Sequence, residues 1–216
     1  MPHMSKVFVP LVIMSMMPMP NRFTGVQAGT EIPIGVGFVK PRFHDLETLR
    51  FYGPPPFDQL ADMVPVVDSI SFTRSANQFD IATAPPWLVP EVLKLDYDLF
   101  YFRAVTLAQN WVEVVVNQSM GRTAWVDRQA VEFVPWPDFL LSVFAVEVID
   151  PLANPLRLKP LEDASPLART SLPLRPLAVH GNWLYVAADL DGGPGSRGWV
   201  RWRDGDRLLI SFSLLS

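Results

Sequence analysis

The sequence predicts an all-β protein built from two related modules, and three observations carry that expectation. Short apolar runs broken by turn residues recur along the 216-residue chain, the pattern of many short strands. Proline accounts for 22 residues, about twice the ordinary share. Each proline removes a backbone donor and restricts the residue before it, which excludes long helices. The third observation is an internal repeat, in which three sequence blocks return in the same order in the second half.

Taken in order, the chain opens with an apolar run over residues 7–17 after Lys6. This matches the basic start and apolar region of a secretory signal and is too short to span a bilayer, which takes about 20 residues. Pro10 interrupts the run and no clean small-x-small cleavage site follows, so a plain N-terminal arm or strand is the alternative. The expectation is a periplasmic or secreted protein, with the cytoplasm as the other possibility. Residues 31–38 alternate strictly, placing Ile32, Ile34, Val36 and Phe38 on one strand face. Gly53-Pro54-Pro55-Pro56 then forces a turn. Residues 90–95 and 137–143 each allow a turn or two of helix, with Pro90 or Pro137 opening it. Residues 100–105 and 111–116 are rich in aromatic and β-branched side chains and read as strands. Residues 118–121 form a hairpin loop leading into a strand over 123–126.

The repeat pairs Arg103-Ala104-Val105 and Asn110-Trp111-Val112-Glu113-Val114 with Arg175-Pro176-Leu177 and Asn182-Trp183-Leu184-Tyr185-Val186. Further on, Ala124-Trp125-Val126 corresponds to Gly198-Trp199-Val200, the extra residues falling in the loop 191–196, where insertions are cheap. Earlier, Leu49-Arg50 with Pro54 parallels Leu156-Arg157 with Pro160. The chain therefore divides into an N-terminal extension (1–45), a first module with an insertion and linker (46–153) and a second module (154–216).

These blocks resemble the bacterial SH3-like domain family: an opening Leu-Arg followed by proline, a central Asn-Trp-x-x-Val strand, and a hairpin ending Gly-Trp-Val. The second module carries all three elements; the first has Ala124 in place of the glycine and a long segment between Leu49 and Trp111. The resemblance implies two small SH3-like barrels in tandem, usually non-catalytic and often attached to exported or envelope proteins. It transfers no ligand contacts, because its pattern mostly encodes the fold. In such a barrel alternate residues point inward. Val112, Val114 and Val116, like Leu184, Val186 and Ala188, form the natural interior. Trp111 with Glu113, and Trp183 with Tyr185, share the opposite face, either half-exposed or covered by other parts of the chain.

Composition narrows the role. With no cysteine and three histidines, zinc-finger, thiol-protease and disulfide architectures are excluded. A net charge of −4 has the wrong sign for a nucleic-acid footprint, and the late arginines Arg197, Arg201, Arg203 and Arg207 are interleaved with Asp204 and Asp206. No further segment reaches transmembrane length. No Walker loop, dinucleotide fingerprint or Gly-x-Ser-x-Gly elbow occurs, so no cofactor is expected. Asp189-Leu190-Asp191-Gly192 begins like a calcium loop but lacks the third ligand and the closing glutamate; hairpin chemistry explains it better, and no metal is expected.

The aromatics are the remaining candidates. Trp87 after Pro85-Pro86, Trp136 between two prolines, and Trp202 are the indoles least tied to a strand core; with Tyr97 and Tyr101 they form a candidate ligand-binding set. Flat rings bury large area at low entropic cost and stack prolines or sugars. The alternative is that the tryptophans seal the junction between modules or anchor the proline-rich loops. The expected function is a non-catalytic binding or scaffolding protein for a peptide, a protein or a cell-wall glycan. A hydrolase acting on wall or polysaccharide material through Asp96 and Asp98, aided by Glu91 or His180, is the competing expectation.

Overall fold

A computed structural model describes residues 32–75, 78–168, 172–188 and 197–215. The candidate signal run and the calcium-like loop at residues 189–192 lie outside the described residues.

Strands dominate, as expected. The first half holds β1 (Gly37–Pro41), β2 (Thr48–Tyr52), β3 (Val66–Ser75), β4 (Gln78–Thr83), β5 (Val92–Lys94), β6 (Leu99–Leu107), β7 (Trp111–Asn117), β8 (Arg122–Asp127) and β9 (Val131–Pro135). A single α-helix, α1 (Trp136–Ser142), separates these from β10 (Ala145–Val148), β11 (Leu156–Arg157), β12 (Pro166–Ala168), β13 (Arg175–His180), β14 (Trp183–Ala187), β15 (Arg197–Arg201), β16 (Arg203–Asp204), β17 (Arg207–Leu208) and β18 (Ile210–Ser213). Helix α1 follows Pro135 as its N-cap and carries Pro137 in its first turn, where the backbone N–H that proline lacks would have no partner within the helix, in keeping with the proline-opened helix expected there. The helical turn expected over residues 90–95 is instead β5 and the start of a 3-10 turn over Leu95–Tyr97, because β6 offers Val92, Leu93 and Lys94 a ladder to complete.

Nine strands form one sheet in the order β4-β3-β2-β8-β7-β6-β1-β9, with β5 added beside β6; five form a second, β12-β11-β15-β14-β13. Both sheets are open: β4 and β9 do not pair, nor do β12 and β13, so the all-β class holds without closure of either ladder. Two-stranded ladders β10-β18 and β16-β17 complete the described structure.

Within these sheets the repeat is visible as register. The run β3-β2-β8-β7-β6 has the same order as β12-β11-β15-β14-β13. Trp111 opposes Asp127 and Glu113 opposes Trp125, as Trp183 opposes Arg201 and Tyr185 opposes Trp199. Even the β-bulge recurs, between Ala104 and Thr106 in β6 and between Pro176 and Ala178 in β13. Pairing also shifts the opening block by two residues. Tyr52 faces Trp125 where Arg157 faces Trp199, so Phe51-Tyr52, not Leu49-Arg50, matches Leu156-Arg157. Leu49, Phe51 and Leu156 are all fully buried, so burial allows either alignment and the strand pairing decides it.

Two cores result. One lies inside the first half, gathering Val112, Val114, Val116, Phe51, Phe100 and Phe102 among others. The other gathers Leu184, Val186 and Val200 of the second sheet against α1, β10, β18 and Phe38 of β1. β1 thus links the halves. It sits between β6 and β9, reached through Gly35, whose φ of +68° and approach to the Ala104 carbonyl leave no room for a side chain.

Candidate functional site

The five aromatics singled out from the sequence are not gathered into one groove. Trp136 and Trp202 are each 2% exposed, with rings 5.4 Å apart, and their indole N–H groups donate to the carbonyls of Ile34 and Gly181. They cannot line an open surface; proline-flanked though it is, Trp136 is the first residue of an amphipathic turn buried in the core between the halves. Tyr101 packs edge-on against Phe38 and Phe139 in the same seam, where burial pushes its hydroxyl above the usual tyrosine value. Trp87 leans on Phe51, donates to Asp68 and lies beneath the Arg122 guanidinium at 4.1 Å. Tyr97 stands exposed on its 3-10 turn.

The carboxylates proposed for hydrolysis sit elsewhere. Asp98 takes a left-handed conformation, φ 59°, and accepts bonds from Lys40 Nζ and, at its other oxygen, from the His44 ring, both at 2.5 Å. Partial burial works to raise its pKa, but those two bonds and their charges hold it below the ordinary carboxylate value. Glu91 is paired with Arg103 at 2.7 Å instead, in surroundings where desolvation outweighs the arginine and raises its carboxyl. His180 lies on the second sheet, beside Trp199. Of the four residues named for hydrolysis, Asp98, Glu91 and His180 therefore each meet a different partner.

What the structure does assemble is a ring surface on the face of each sheet away from its valine core. In the first half Tyr52, Trp111 and Trp125 occupy it, and residues 53–64 fold over them. The Trp111 indole donates to the Gln59 carbonyl at 3.0 Å, and Phe57 sits edge-on to Trp125 at 5.0 Å. Glu113, between the indoles, accepts from the hydroxyls of Thr106 and Thr123. In the second half the indoles in the same register are Trp183 and Trp199, with Tyr185 in the place of Glu113 and Arg157 in the place of Tyr52; the three rings are half-buried, with Tyr185 and Trp199 rings 5.0 Å apart and His180 edge-on to Trp199 at 6.4 Å. Residues 158–165 reach this face at its arginines, where Arg157 donates to the Ala164 carbonyl and Arg201 pairs with Glu162, but among the described residues no hydrogen bond or ring contact ties that segment to the indoles. One strand separates β13 from β15, so His180, Trp183 and Arg201 form one row across this face, and Ala178, Tyr185, Trp199 and Arg157 the next.

Sequence reasoning placed Trp183 and Tyr185 on this face but did not select them. The signal was the repeat itself: the proline-rich insertion 53–64 of the first module is answered after Arg157 by the shorter segment 158–165, which carries no aromatic residue.

Among the described residues no helix is long and apolar enough to cross a membrane, and no group of three or more His, Asp or Glu side chains is placed to hold a metal ion. No family model matches the chain, and no curated protein matches it. Among solved structures it is similar to an NlpC/P60 family protein from Bacillus cereus, at 14% identity over 82% of this chain and 57% of that one, with a TM-score of 0.22. The chain thus spans less than two thirds of that protein's length, and an overlap this loose carries no argument about fold or role.

Proposed function

We propose that the chain is a non-catalytic binding protein of two SH3-like halves that works outside the cytoplasm and holds an extended peptide or a cell-wall fragment on the Trp183–Tyr185–Trp199 face. One observation carries the reading: two faces with indoles in the same register, one sealed by the chain's own residues 53–64, the other with its rings unsealed among the described residues. Partly exposed indoles that the described residues leave unsealed gain from a flat partner. The shared strand order and bulge support the SH3-like reading of both halves. Export rests on residues 1–17 alone, and the mass of the mature N-terminus tests it.

Titrating wall fragments and proline-rich peptides against indole fluorescence tests the site. Trp199→Ala is expected to abolish binding while leaving the thermal midpoint within about 2 °C, the shift expected of a surface change. Binding that survives this change overturns the assignment. Hydrolysis of any of these fragments that disappears in Asp98→Asn would overturn the non-catalytic reading.

A further inference from the structure

Of the arginines Arg157, Arg175 and Arg197 on the second ring face, only Arg175 has an arginine at its registered place in the first half. Counting along the ladder from Tyr185, the next row is Arg175, Ala187 and Arg197, about 7 Å away at two residues along each strand. Arg157 closes the Tyr185 row beside Trp199. At the registered places the first half carries Tyr52, Thr123 and Arg103, and that arginine is taken by Glu91. Of the cations on the second ring face, Arg201 is neutralised by Glu162 and Asp204. Arg157 is spent only on the Ala164 carbonyl, and among the described residues no carboxylate pairs with Arg157, Arg175 or Arg197. Arg175 keeps its Nε buried with no acceptor, an uncompensated donor on the same face.

We infer, resting on the binding face proposed above, that its ligand is an acidic glycan: a chain of pyranose rings bearing carboxylates. Three features select it. The backbone polar groups of β11, β14 and β15 are consumed in their ladders and those of the edge strand β13 lie in the plane of the sheet, so the sheet face offers a ligand rings and guanidinium groups but few main-chain partners. A peptide laid there would bury amides without partners, which is costly. A pyranose presents an apolar C–H face to Tyr185 and Trp199 and keeps its hydroxyls at the rim. A carboxylate on that ring then lies within reach of Arg197 and Arg175, whose forked donors suit it better than a point charge would. A nucleic acid would also meet rings and arginines, but the chain's net charge of −4 opposes a polyanion of that charge density.

The test is calorimetry at low and moderate salt with four probes: tetragalacturonate, the neutral cellotetraose, a tetraglutamate peptide and a short single-stranded oligonucleotide. Tetragalacturonate is expected to bind at least tenfold more tightly than the other three, and Arg197→Gln to weaken it about tenfold with an unchanged thermal midpoint. Equal binding of the acidic and neutral sugars, abolished by Trp199→Ala, overturns the acidic preference and keeps the ring face. Preference for the peptide or the oligonucleotide, lost in the same variant, overturns the glycan and keeps the face. Tetragalacturonate binding indifferent to Trp199→Ala overturns the face itself, and no binding by any probe overturns the inference.

Discussion

Trp111 and Trp183 stand at the same place in the same strand pattern, yet one is wholly buried and anchored to a main-chain carbonyl while the other is only partly buried. The neighbours differ in the same sense. Glu113 and Asp127 flank the wholly buried ring where Tyr185 and Arg201 flank the partly buried one. An acid tied down by two threonines suits a surface meant to be roofed; a second ring and spare guanidinium groups suit one meant to be met from outside. A strand ladder therefore fixes where a ring sits without fixing what the ring is for, and the deciding factor is a proline-rich stretch of twelve residues several strands away in sequence.

The sharpest way to break this contrast is to truncate both indoles. Trp111→Ala is expected to cost about 3–5 kcal/mol in urea denaturation, the range for emptying a packed aromatic site. Trp183→Ala should cost about 1 kcal/mol or less, a lost cross-strand contact. Equal losses would mean the two faces are energetically alike. A smaller effect is expected where the halves differ by a single methyl. Ala124 is tolerated in β8, but a side chain at the registered Gly198 would come within 2.7 Å of the Arg157 carbonyl and of Leu156. Gly198→Ala should therefore lose about 1–3 kcal/mol by overpacking, and Ala124→Gly no more than about 1 kcal/mol. A silent Gly198→Ala would place β11 and β15 farther apart than the structure has them.

The smallest effect lies at Asp98, whose cluster with Lys40 and His44 belongs to the first half alone among the described residues. Its folded-state pKa is depressed, so its contribution is present above the ordinary carboxylate value and lost as pH falls through the folded one. Asp98 is about half exposed, which limits the gain to roughly 0.5 kcal/mol. Asparagine tolerates the same left-handed backbone, so Asp98→Asn removes charge without strain. Melts of the two proteins should differ slightly at pH 7 and coincide in acid; a gap that widens in acid would reverse the sign.

Much of the fold was legible because the strand signals are local: β6, β7 and β8 follow from β-branched runs and a glycine turn, and the Asn-Trp repeat foretold two ladders of one register. β5 was missed because three residues carry too little pattern to resist a helical reading, and only the partner strand decides. The site was half legible. Alternation put Trp183 and Tyr185 away from the valine core, but which face would be roofed depends on where residues 53–64 travel, a long-range outcome no period encodes. Trp136 and Trp202 misled for the converse reason. Flanking prolines and a strand-end position mark a loop locally, while the space between α1 and β18 was waiting for two large rings.

The place of β1 has a consequence for how the protein comes to be made. Its ladder partners in β9 end at Pro135, and the carbonyl of Ile34 is claimed by the Trp136 indole. During synthesis β6 can cover one edge of this earliest described strand, but the other stays bare until that far segment leaves the ribosome, a delay that exposes it to chaperones and to mispairing with other nascent copies.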